Sequence, residues 1–133
     1  MATPLPTAPN LPLAPAAKDP PHCFRCNKPS QRMVTRSSNR NGNGGRPFHK
    51  CVSCRKFFTF ADERGNNPDY PSCDCGESSR LQRAGENSSK PGGLHYVCRL
   101  GTCDYYAVKV DENQEQVTMS LDLVDHFAGL NII

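Results

Sequence analysis

The residues with the most chemistry to offer are eight cysteines, and they are not scattered. They fall as Cys23-x2-Cys26, Cys51-x2-Cys54, Cys73-x-Cys75 and Cys98-x4-Cys103. That is a close pair, a spacer and a close pair, repeated once. Two short cysteine turns about two dozen residues apart can converge on one tetrahedral Zn²⁺, since thiolate is a favoured zinc ligand and four-ligand sites are closed and structural. Two ions are therefore expected. Cys23, Cys26, Cys51 and Cys54 would hold one, and Cys73, Cys75, Cys98 and Cys103 the other. The rival is a disulfide framework, which fits a secreted chain better than one in a reducing compartment. A redox role for CFRC or CVSC lacks the surrounding βαβ pattern such chemistry uses. His22 beside Cys23 could replace a ligand, but four cysteines are already at hand. His49 and His95 read as packing or surface residues.

The elements that must position these ligands are small. Hydrophobic residues make up 36% of 133, Trp is absent, and there are 12 Pro and 10 Gly. Units of about 40 residues rarely hold together by burial alone, so bound metal is expected to supply folding free energy. No window approaches the ~20 apolar residues of a membrane span, so no membrane partner is expected. The opening MATPLPTAPNLPLAPAA lacks a basic region, and Pro4, Pro6, Pro9, Pro12 and Pro15 interrupt any helix. Residues 1–21 are thus expected to be a disordered Pro-rich tail and the protein intracellular.

The sequence repeats more than its cysteines. Asn43-Gly-Gly-Arg-Pro-Phe48 precedes Cys51, and Phe57 and Phe58 follow Cys54; Lys90-Pro-Gly-Gly-Leu-His95-Tyr96 precedes Cys98, and Tyr105 and Tyr106 follow Cys103. Such self-similarity implies tandem units at 22–60 and 73–110, joined by a polar linker at 61–72. Short aromatic or β-branched runs predict strands at 31–36, 47–50 and 57–60, then at 79–83, 94–97 and 105–110. The expected fold is small zinc-stabilised β: two tandem three-stranded antiparallel units.

Charge is unevenly spread. Between residues 21 and 60 lie Arg25, Lys28, Arg32, Arg36, Arg40, Arg46, Lys50, Arg55 and Lys56, with no Asp or Glu. After residue 110 the charge is purely acidic. A one-sided block of this kind suits a polyanion partner for the first unit, though it also suits a solvated surface.

The first unit resembles the GRF-type zinc finger family through Asn43, Gly45, Arg46, Phe48, Cys51, Cys54, Phe57 and Phe58, with Phe60 in a slot the family usually fills with Trp. The second unit resembles it through Gly92, Tyr96, Cys98, Cys103, Tyr105 and Tyr106, but carries Gly93 at the signature Arg and Lys90 at the Asn. The resemblance implies a crescent-shaped module that grips single-stranded DNA, of the sort appended to DNA-processing enzymes, and it implies a nuclear location.

Arg46 is the leading functional candidate. A guanidinium can hold phosphate through two parallel hydrogen bonds, or it can brace the loop near the zinc. Arg36, Arg40, Lys50, Arg55 and Lys56 would add backbone contacts, and Phe48 and Phe57 would stack on bases. Strict strand alternation places Phe58 and Phe60 on one face and Phe57 on the other, so that rings divide between core and platform. In the acidic segment 111–133, SLDLVDHFAGLNII predicts a short helix with Ser120 as N-cap and Gly129 near its end. It would pack on the second unit, dock a protein partner, or remain a disordered acidic-hydrophobic tail, and its acidic charge could compete with nucleic acid for the basic unit. Full use of the cysteines leaves no open zinc position for water, so a non-enzyme is expected. The leading reading is a binder of single-stranded DNA or RNA; the alternative is a structural zinc-finger adaptor for a protein partner.

Overall fold

The computed structural model describes residues 13–38 and 42–133. Residues 1–12 of the expected tail, and Arg40, lie outside the described residues. The first finger pairs β1 (Gln31–Val34), β2 (Pro47–Cys51) and β3 (Lys56–Phe60) in that order, and the second pairs β4 (Ser79–Arg83), β5 (Leu94–Cys98) and β6 (Tyr106–Val108) likewise. Both sheets are antiparallel. β6 is shorter than its sequence predicts because the chain leaves β5 at Val110 and bridges to Gln116 in a further hairpin.

The repeat holds at the level of single hydrogen bonds. Thr35 N–H donates to Arg46 O and Gly45 N–H to Thr35 O; Ala84 N–H donates to Gly93 O and Gly92 N–H to Ala84 O. Gly45 and Gly92 occupy this turn at φ 81° and 77°, where a side chain is strained. Strand register then matches Phe48 with His95 and Phe57 with Tyr106. By the same register Tyr96 corresponds to His49.

One irregularity separates the sheets. In β2–β3, Phe48 opposes Phe60 and His49 opposes Thr59, but Lys50 opposes Phe57, so the register shifts and Phe58 is the extra residue. A bulge of this type breaks strict alternation. It brings the Phe57 ring onto the Phe48 and Phe60 side, at centroid distances of 5.7 and 5.0 Å. The expectation that Phe57 and Phe60 lie on opposite faces is therefore corrected. Phe58 packs instead on Phe24, at 5.8 Å, and on Cys23 and Cys51.

Segment 61–72 is more than a spacer. Arg80 of β4 is fully buried, and its Nε donates to Asn66 Oδ1 at 2.6 Å, its Nη1 to Phe60 O at 2.7 Å, and its Nη2 to Asp62 O. Asp62 also accepts Arg46 Nε and Nη2 at 2.8 and 2.9 Å. Burial alone would raise the Asp62 carboxyl. The hydrogen bond and charge of Arg46, with Arg80 and Arg64 nearby, hold it below its usual value. Thr59 Oγ1 donates to Arg99 O at 2.8 Å, so the two fingers touch directly as well.

The larger core belongs to the second finger and to the C-terminal segment packed on it. Leu81, Leu94 and Tyr96 pack with Met119, Val124 and Ile133. Helix α1 (Leu121–Gly129) starts at Ser120, whose side chain makes no capping bond, and buries Val124. A Cβ at Gly42 would overlap Val124, so the helix reaches the first finger's turn too. Segment 111–133 is thus an integral wall, not a separate tail. At the other end Ala14 is buried and exchanges hydrogen bonds with Asn66, so the expected tail does not extend to Ala14.

Removing Asp62 leaves Arg46 and Arg80 without their carboxylate. Asp62→Ala is expected to lose about 3 kcal/mol or more in urea unfolding of zinc-loaded protein. An unchanged midpoint would mean that this half-buried carboxylate does not tie the fingers.

Candidate functional site

Each finger gathers four cysteine sulfurs, and within each group all four lie within 4.8 Å of one another. A tetrahedral zinc with its usual zinc–sulfur bonds spaces its ligands about 3.8 Å apart, and Cys26 and Cys51 stand at 3.6 Å. The turns are shaped for convergence. The residue after the second cysteine is left-handed in three of the four pairs: Asn27 at φ 58°, Arg55 at 57° and Gly76 at 80°.

The electrostatics call for a cation. Backbone N–H groups of Cys26 and Arg25 hold the Cys23 thiol down to about 6. Burial would push Cys98 up, but the backbone N–H groups of Thr102 and Cys103 hold it down to about 6. Cys54 is pushed up to about 12, first by its contact with Cys23. Four thiolates cannot ionise together without a positive partner, and a divalent ion supplies one. The fingers thus carry two all-cysteine sites suited to two zinc ions, one each. None of the eight cysteines is in a disulfide.

The residues expected to meet nucleic acid divide in two. Phe57 is 41% exposed, its ring lies against Phe48, and Lys50 opposes it across the ladder. Phe48, Lys50 and Phe57 therefore share one face. Arg55 is exposed on the cysteine turn, and Lys56 holds its ammonium 4.9 Å from the Phe24 ring. Arg36 is exposed beyond β1.

Arg46 departs from expectation. It is 5% exposed, its Nη1 donates to Asn43 Oδ1 at 3.0 Å, and its guanidinium lies 3.6 Å from the Phe60 centroid. With Asp62 occupying its other two nitrogens, no fork remains for phosphate. It braces the turn, the second of the two roles its chemistry allowed.

Residues 20–64 match the family model of the GRF-like zinc ribbon domain. The match covers the first cysteine group, the turn with Arg46 and the whole first sheet. Among solved structures, the crystal structure of human NEIL3 tandem zinc finger GRF domains is similar, at 22% identity over 67% of this chain and 97% of that one, with a TM-score of 0.26. No curated protein matches.

Outside that GRF-like match, the second finger repeats the first finger's ring pair. His95 and Tyr106, equivalent by register to Phe48 and Phe57, are stacked at 5.0 Å. Tyr106 is 61% exposed. Two residues of this surface carry no mark in the sequence: Met33, exposed opposite Phe48, and Gln82, between the fingers. The pairing of β1 with β2 would have revealed Met33. Nothing local would have revealed Gln82.

Wild-type protein is expected to carry two zinc ions by elemental analysis, and Cys51→Ser one. The first finger's own buried cluster is only Cys23, Cys51 and Phe58, so that substitution should also unfold the first sheet. Two ions retained in the variant would contradict the ligand assignment.

Proposed function

We propose that this protein is a zinc-stabilised module that binds single-stranded nucleic acid, DNA in the first instance, through the first finger. One observation carries the reading. The exposed Phe57 ring lies on Phe48 beside Lys50, within a stretch from 21 to 60 that holds no carboxylate. A ring of this kind is a stacking platform for any base, and the surrounding cations displace counterions from the phosphate backbone. With Arg46 turned inward, the backbone contacts fall to Lys50, Arg55, Lys56 and Arg36. Both four-cysteine groups are complete, which suits a binding module and not an enzyme. The GRF-like match supports the same reading, and it suits a nuclear site of action.

A second reading, an adaptor for a protein partner, is favoured by an apolar groove of about 350 Å³ along helix α1, lined by Leu94, Val117, Leu123 and Phe127. Leu121 and Leu123 are exposed at its side.

Anisotropy of a labelled single-stranded oligonucleotide across a salt series separates the two. Phe57→Ala is expected to weaken binding by about 1–3 kcal/mol with the salt dependence kept. Lys50→Ala is expected to flatten the slope by about 0.7. No binding at low salt by zinc-loaded protein would sink the nucleic-acid reading and leave the adaptor.

A further inference from the structure

The two ring pairs do not face away from each other. Phe57 of the first finger and Tyr106 of the second line one cleft of about 220 Å³. β4 explains why. Arg80 and Gln82 lie on the same side of that strand, and Arg80 is locked into the first finger. Cross-strand register sets Gln82 opposite His95, and Val97 opposite Tyr106. The side of the second sheet that carries Gln82, His95 and Tyr106 is therefore the side turned towards β3.

Gln82 brings to this cleft a buried polar atom without a partner. Its Nε2 is sealed from solvent and has no hydrogen-bond partner. A buried donor left unmade is costly, and such a group calls for a reason. The same side chain, with Phe57, also lines a neighbouring cavity of about 130 Å³ that Arg46, Arg64 and Arg83 border. Arg46 and Arg83 are ion-paired to Asp62 and Glu86. Arg64 gives its Nε and Nη2 to the carbonyls of Ile133 and Gly42. Aromatic walls, an orphaned amide and a cationic compartment thus adjoin one another.

We propose that this cleft is a nucleobase subsite built by both fingers. One base of the bound strand lies between Phe57 and Tyr106, and Gln82 Nε2 donates to an acceptor on its edge. The inference rests on the single-strand reading above and adds to it. Phe57 stacking alone is indifferent to sequence, whereas a fixed amide distinguishes base edges. The second finger then has a direct role despite lacking the signature arginine, since what it contributes is Tyr106 and Gln82.

The test uses the full zinc-loaded chain and fluorescently labelled homopolymers of dA, dC and dT, compared by anisotropy. Wild type is expected to prefer one base by about fivefold or more. Gln82→Met keeps the side-chain length, removes the amide and is expected to abolish that preference while leaving the salt slope unchanged. Tyr106→Ala, at an exposed position, is expected to weaken all three several-fold. Binding by wild type with no base preference, or with a preference that survives Gln82→Met, would overturn the subsite and leave the first-finger platform standing. Failure of wild type to bind any homopolymer at low salt would remove both.

Discussion

A guanidinium with no exposed surface must satisfy its donors inside the protein, and Arg80 satisfies its own on the end of the first finger and the segment that follows it. Its partners are Phe60 O, Asn66 and Asp62. A dry cation costs several kcal/mol unless paired and bonded, so the second sheet is stable only where those acceptors are presented. Asp62 is shared with Arg46, which braces the first finger's turn over Phe60. Asn66 in turn holds Ala14. One buried charge therefore fixes the relation of the two sheets, the shape of the signature turn and the path of the chain before the first cysteine.

Around that fixed point the two fingers solve the same size problem differently. The first gathers little more than Cys23, Cys51 and Phe58 beneath its sheet, so zinc is its core. The second adds Met119, Val124 and Ile133 from the C-terminal segment, and builds a hydrophobic cluster of ordinary kind. The outer aromatic side is exposed in both fingers, at Phe57 and at its register equivalent Tyr106, whichever kind of core lies beneath.

Much of this architecture was legible in the sequence. Cysteine spacing announced two metal groups, and the short aromatic runs announced six strands, because both signals are local. What was hidden depended on distant or single-residue events. Nothing around Phe58 marks it as the extra residue of a bulge, yet that one shift moves Phe57 to the face of Phe48. Arg46 reads as a phosphate ligand until Asp62, 16 residues later, folds back and takes its fork. The polar stretch 61–72 has the composition of a linker, but its polar groups are those a buried interface needs. Gln82 acquires meaning only once two sheets meet.

Helix α1 rests Val124 against the Gly42 turn, and Arg64 donates to the carbonyl of Ile133, 69 residues further along. During synthesis the first finger's four thiols leave the ribosome long before these covering residues exist. Its metal chemistry and its packing are thus completed at different times. The first finger can load zinc early, but its inner edge stays open to water until Val124 and Ile133 arrive. Chain order thus allows metal to come before cover, with closure waiting on the far segment.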